Sequence, residues 1–165
     1  MASDVRVVEV GVEALDAARP LWMSMHRHHE AVSPMIGRFG ELPDIGELWQ
    51  RRRAHYEVWL AEPRSALLLA MDDDTAVGYA MVRVREPRRA WEPREPIGTL
   101  ETLAVDETRR GLGIGSLLMQ AVRNVLAREG AVALELSVLE GNETAIRFYE
   151  RHGLRPALVT LMGPV

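Results

Sequence analysis

Residues 100–122, LETLAVDETRRGLGIGSLLMQAV, decide how this 165-residue chain reads. An apolar run, Ile97 to Val105, turns through Asp106 to Arg110 into a glycine-rich stretch. Beyond it Ile114, Leu117, Leu118, Ala121, Val122 and Val125 recur at helical spacing. The pattern predicts a strand over 97–105 that hands over to a helix over Leu112 to Arg128, ended by Gly130. Amides at a helix start lack internal partners and point outward, and the macrodipole adds about half a positive charge there. Glycines at 111, 113 and 115 remove side chains that would hold a ligand away from those amides. Such a junction is built for phosphate, and Arg109 and Arg110 add positive charge beside it.

Three phosphate patterns compete for this stretch. A P-loop ends in Gly-Lys-Ser/Thr, and the chain has no lysine at all: its 20 basic residues are all arginine. A dinucleotide fingerprint needs G-x-G-x-x-G directly after the strand, whereas the glycines here read G-x-G-x-G and lie late in the chain. The third pattern, R-x-x-G-x-G, is met by Arg110, Gly113 and Gly115.

Working outward, residues 134–154 read LELSVLEGNETAIRFYERHGL. They predict a buried strand over Val132 to Val138 and a short helix that Asn142 caps and Gly153 ends. With both stretches in view, the sequence resembles the GCN5-related N-acetyltransferase (GNAT) superfamily. The first is similar to that family's acyl-CoA motif. In the second, Asn142, Ala145, Tyr149 and Gly153 stand where the family places its Asn, Ala, Tyr and Gly. The resemblance covers about residues 97 to 155, and the first 60 residues match only in element order. It implies an α/β fold with a mixed, mostly antiparallel sheet of six to seven strands flanked by about four helices. It implies acetyl transfer from acetyl-CoA, as co-substrate, to a primary amine. In that arrangement the backbone of Leu103, Ala104 and Val105 pairs with the pantetheine arm. The amides of Gly111, Leu112, Gly113, Ile114, Gly115 and Ser116, with Arg110 beside them, hold the pyrophosphate. Asn142 lies near the pantetheine, and Tyr149 points at the thioester sulfur. A homodimer is a family-level expectation.

The chemistry can be reasoned separately. An amine of pKa about 10.4 costs roughly 4 kcal/mol to neutralise near pH 7.4. A base must take that proton, directly or through water. The departing thiolate needs a donor, and a tyrosine, protonated at working pH, suits that task. Glu101 is the first candidate base, because a glutamate within an apolar strand is unusual. Strand alternation puts it on one face with Leu103 and Val105. Glu135 is the second candidate and a water chain the third. With no cysteine for a covalent relay, direct attack in a ternary complex is expected.

The remaining sequence supplies scaffold. Strands are predicted over Val5 to Val10, Ser65 to Met71, Ala76 to Arg85 and Leu154 to Met162, the middle two joined by a hairpin at Asp72 to Asp74. One helix starts at Val12 and carries Pro20, and a second opens at Pro43-Asp44 with Glu47 completing a capping box. Glu86 to Pro96, with three prolines, is the expected mobile loop. His26, His28 and His29 lack the ligand pattern of a metal site and read better as pocket lining. Arg51-Arg52-Arg53 point three ways on a helix, so they read as a solvated face rather than a nucleic-acid patch. A net charge of −4 gives no field for nucleic acid. No apolar run nears the roughly 18 residues of a membrane span. Residues 1–165 are expected to form one domain, cytoplasmic and without a metal. Two rival functions are a non-catalytic acyl-CoA sensor of the same fold and a Rossmann-type nucleotide enzyme.

Overall fold

The structure is a computed structural model and describes residues 4–165. The elements run β1 (Arg6–Val10), α1 (Leu15–Val32), α2 (Ile45–Ala61), β2 (Ser65–Asp72), β3 (Thr75–Arg85), β4 (Ile97–Val105), α3 (Ile114–Arg128), β5 (Ala133–Leu136) and α4 (Glu143–Arg151). The strands form one sheet in the order β1-β2-β3-β4-β5. Every neighbouring pair is antiparallel except β4 with β5, which is parallel. The architecture is therefore α/β with a mixed sheet and four α-helices, as the sequence implies.

The sheet has five strands, however, not six or seven. Residues 154–162 pair with no strand, and most of them are exposed. Alternation gives a propensity, but a strand also needs an edge to pair with. Of the two edge strands, β1 and β5, the one nearer in the chain is β5, only four residues long. Pro156 lacks a donor, and the Arg155 guanidinium turns back onto the carbonyls of Glu150 and Leu154.

Alternation along the strands feeds two cores. On one face Ala80, Val82 and Leu100 pack under Ile114, Leu118, Val122 and Leu126 of α3. On the other, Tyr79, Met81 and Ala104 pack against Leu15, Trp22, Trp49 and Tyr56 of α1 and α2. Gly98 permits the first contact, since a Cβ there would stand 2.4 Å from Leu126. The Asp44 cap on α2 is formed, its carboxylate accepting from the amides of Gly46 (2.9 Å) and Glu47 (3.2 Å). Pro20 sits inside α1 without ending it.

The loop at 86–96, expected to be mobile, is pinned instead. The Glu92 carboxylate accepts from the amides of Arg88 and Arg89 and from the guanidinium groups of Arg85 and Arg89. Its side chain is only 1% exposed. A carboxylate with that many charge-assisted donors anchors the segment whatever its proline content.

One irregularity in β4 shapes everything near the site. Thr102 pairs with Met81 and Leu100 with Val82, so Glu101 is an extra residue with no partner on β3. Alternation breaks there. Leu100 faces α3, while Thr102 faces α2 and bonds the Tyr56 hydroxyl at 2.7 Å. The expectation that Glu101 shares the face of Leu103 and Val105 is thereby corrected. Its carboxylate meets Arg83 at 3.1 Å, and Arg83 lies over the Trp59 ring of α2 at 4.8 Å.

Candidate active site

Pairing between β4 and β5 runs only from Ile97↔Ala133 to Leu100↔Leu136. It stops where the bulge begins. Beyond that point residues 101–105 and 137–139 line opposite sides of a cleft of about 670 Å³. The backbone of Leu103, Ala104 and Val105 pairs with β3 on one side only. Its other side faces the cleft with no partner strand. Backbone groups left this way demand partners, and an extended ligand bearing amides supplies them.

The glycine turn forms the floor at one end. Asp106 shapes it, its carboxylate accepting from the Thr108 amide (2.8 Å) and hydroxyl (2.6 Å). Those donors hold the Asp106 pKa below its usual range. Gly111 and Gly113 have φ of +80° and +85°, which other residues adopt only under strain, and nothing occupies the space where their Cβ atoms would be. Gly113 caps α3 without any side-chain hydrogen bond. The amides of Gly111 to Gly115 donate to no acceptor among the described residues. The Ser116 amide, by contrast, donates to the Gly113 carbonyl at 3.0 Å, and its hydroxyl meets His152 Nε2 at 3.2 Å. Gly115 answers to packing, since a Cβ there would meet the Phe148 ring at 3.2 Å. Arg109 is tied to Asp72 at 2.8 Å. Arg110 has no ion pair among the described residues and lines the cleft.

Tyr149, on α4, reaches the same cleft. Burial pushes its pKa up to about 12, so the ring keeps its proton at any working pH. Its hydroxyl has no hydrogen-bond partner among the described residues. Asn142 is 7% exposed. Its side-chain oxygen accepts from the Ala145 amide at 3.3 Å, capping α4, and meets His28 Nε2 of α1 at 3.4 Å. Gly141 brings α4 that close, since a Cβ there would lie 2.2 Å from the Val32 carbonyl oxygen.

The two candidate bases separate. Glu101 lines the cleft and is its one carboxylate. Glu135 does not reach it. Arg85 at 2.7 Å and Arg89 at 2.9 Å hold Glu135 beside a smaller cavity of about 170 Å³ that Glu101 also touches. The Arg85 hydrogen bond lowers the Glu135 pKa, with Arg89 adding to it. Arg52, read from the sequence as part of a solvated face with Arg51 and Arg53, instead lines the cleft with Trp22 and His29. Its signal was present but unreadable: three adjacent arginines say nothing of which one faces inward. Burial lowers the His29 pKa, and His28, His26 and Arg52 add to that. Among the described residues no cluster of His, Asp and Glu could hold a metal, and no helix is long and apolar enough to cross a membrane.

Comparison with known proteins bears on the family and the fold. A family model described as the acetyltransferase (GNAT) family matches residues 26–154. Mycothiol acetyltransferase of Acidimicrobium ferrooxidans is 30% identical over 132 residues, which cover 80% of this chain and 38% of that protein. The chain thus spans about two fifths of the length of that curated relative. Among solved structures, a tetramutant of the BH1408 protein from Bacillus halodurans superposes with a TM-score of 0.80 at 23% identity, covering 97% of this chain and 99% of that one. The aminoglycoside N-acetyltransferase AAC(6′)-Iy in complex with CoA gives 0.76 at 18% identity, covering 100% and 97%. These two likenesses are likenesses of fold.

Proposed function

Since the chain belongs to the acetyltransferase (GNAT) family, we propose that it moves an acetyl group from acetyl-CoA to a primary amine, both substrates bound together in the β4/β5 cleft. One observation carries this reading. The unpartnered amides of Gly111 to Gly115 open into the same cleft as the unpaired edge of β4 and the lone Tyr149 hydroxyl. In it the amides, with Arg110, take the diphosphate. The pantetheine amides pair with Leu103 to Val105, and the thioester arrives at Tyr149. Asn142 steadies the wall beside the pantetheine.

The steps follow from the charges. The amine nitrogen attacks the thioester carbonyl carbon, forming the C–N bond. The C–S bond then breaks, and its electron pair leaves on sulfur. The Tyr149 hydroxyl donates a hydrogen bond to that sulfur as charge develops. The proton surplus on nitrogen passes to Glu101 through water and finally balances the thiolate, giving the amide and CoA-SH.

The same reading takes residues 1–165 as one acetyltransferase domain working in the cytoplasm without a metal. Pairing of two copies is supported by apolar side chains exposed near the C-terminus, among them Leu158, Val159 and Leu161. The test is free-CoA release from acetyl-CoA across a panel of amines, run with wild type and Glu101→Gln. Turnover that Glu101→Gln lowers at least tenfold is expected. Tight acetyl-CoA binding with no turnover on any amine would leave the sensor as the better account. Binding of NAD(P) in place of CoA in a thermal-shift comparison would leave the nucleotide enzyme.

A further inference from the structure

The charge of the cleft is one-sided. Its wall carries four arginines, Arg52, Arg109, Arg110 and Arg151, against the single carboxylate of Glu101. Glu101 is held by Arg83 and Arg109 by Asp72. Arg110 stands at the glycine turn and Arg151 closes α4. Arg52 enters from α2, across the cleft, and none of these assignments uses it.

Its neighbours in sequence make the point sharper. Arg51 pairs with Glu47 at 2.6 Å, and Arg53 pairs with Asp16 and Glu57. Arg52 has no ion pair among the described residues. Of three adjacent arginines, the one without a carboxylate is the one that faces the cleft. It is half-buried. Its guanidinium is braced over the rings of Tyr56 and Trp59, with centroid distances of 5.7 and 5.8 Å. A partly desolvated cation with no counter-ion is costly to maintain, and a rigidly braced guanidinium fits a carboxylate in two-point fashion. Around it the wall is apolar and imidazole-rich. Trp22 stacks on His26 at 5.0 Å, and Met25 lies beside them. His26 Nε2 is buried without a hydrogen-bond partner, since Glu30 at 3.6 Å is beyond bonding reach.

We propose that Arg52 binds a carboxylate carried by the acceptor itself, so that the acceptor is a small amine of amino-acid type with an apolar body. This rests on the acetyltransferase reading and narrows it. A polycationic acceptor fits poorly, because each added ammonium group meets further arginines and finds one carboxylate that is already paired.

The experiment compares matched amines that differ only in the carboxylate: L-phenylalanine with 2-phenylethylamine, and L-methionine with 3-(methylthio)propylamine. Tobramycin serves as the polycation. CoA release gives kcat/KM for each with wild type, Arg52→Gln and Arg52→Lys. A charged hydrogen-bonded pair implies a preference of about tenfold or more for the carboxylated member. Arg52→Gln should bring the ratio to near one, mainly through KM, and Arg52→Lys should restore part of it. Unchanged CoA affinity by calorimetry shows that Arg52→Gln is folded. Equal or better kcat/KM for the decarboxylated amines or for tobramycin overturns the proposal, as does a preference that survives Arg52→Gln. If CoA binds and no amine is acetylated, the acetyltransferase reading fails by itself. Titration of each pair into CoA-saturated protein then still decides: tighter binding of the carboxylated amine that Arg52→Gln abolishes supports the carboxylate site, and equal affinities refute it.

Discussion

Tyr149→Phe separates catalysis from folding more cleanly than any other single change. The hydroxyl has no hydrogen-bond partner among the described residues, and burial raises its pKa from 10.0 to about 12. A shift of that size disfavours the ionised form by about 3 kcal/mol. In the proposed mechanism Tyr149 would therefore act by donating a hydrogen bond to the leaving sulfur rather than as a tyrosinate. A hydrogen bond to a charged group contributes about 1.5–3 kcal/mol, which corresponds to a loss of roughly 10- to 150-fold in kcat. Removing a hydroxyl that opens into the cleft and bonds no described residue should leave Tm nearly unchanged. The acetyl-CoA affinity should stay within about threefold, since the diphosphate and the β4 edge are untouched. The raised pKa adds a second expectation: for wild type the alkaline limb of kcat shows no fall near pH 10, where an ordinary tyrosine would ionise. Steady-state kinetics with calorimetry and a thermal melt read all of this. An undiminished kcat in Tyr149→Phe would remove the tyrosine from the mechanism, and a drop in Tm alongside it would show the residue to be structural.

Three further outcomes are expected. Gly113→Glu should abolish acetyl-CoA binding in calorimetry, because it forces φ of +85° on a residue with a Cβ and sets a carboxylate against the diphosphate; unchanged affinity would refute the cradle. Gly98→Val should destabilise by about 1–3 kcal/mol in urea unfolding, since even a Cβ there would stand 2.4 Å from Leu126. His29 has a lowered pKa in the fold, so the unfolded chain takes up its proton first; stability is complete above about pH 6.5 and falls as pH drops through the lower folded value. His29→Gln should flatten that fall in melts recorded from pH 7.5 to 5, and an identical pH slope in the two proteins would show that His29 is not its source.

How far the sequence reached depends on range. The strand-to-helix junction at 97–128 and the caps at Asp44 and Asn142 were legible, because each is decided by residues within one turn of one another. The missing strand at 154–162 was not, since pairing depends on an edge that local alternation cannot report. Likewise Glu92 looked like one more charge in a proline-rich loop, and only the fold brings Arg85 from β3 and Arg89 to it. For the candidate site the asymmetry is the same. The glycine turn was legible from its spacing, and Tyr149 only through the family resemblance of the motif that carries it. Glu135 and Arg52 could be sorted only by seeing which arginine or carboxylate each one meets.

The bulge at Glu101 is the strongest case, because the extra residue lies where the β4/β5 pairing stops while both cores keep their pattern around it. Leu100 and Thr102 face opposite cores although they stand two apart in the chain, because Glu101 takes no place in the pairing with β3. Deleting Glu101 makes the pairs Met81↔Thr102 and Val82↔Leu100 consecutive. Ordinary alternation then satisfies both cores, and no buried side chain changes face. The deletion variant should consequently fold, with a cooperative melt. With a regular β4, nothing holds the strand away from β5 past Leu100, and the two can continue pairing towards Val105 and Leu139. The cleft should close, and the edge offered to the pantetheine with it. Glu101→Gln, which keeps the extra residue, should bind acetyl-CoA like wild type while losing turnover. A deletion variant that folds and still binds acetyl-CoA with wild-type affinity would show that the bulge does not open the cleft, and the divergence of β4 and β5 would then have to come from the loops that follow them.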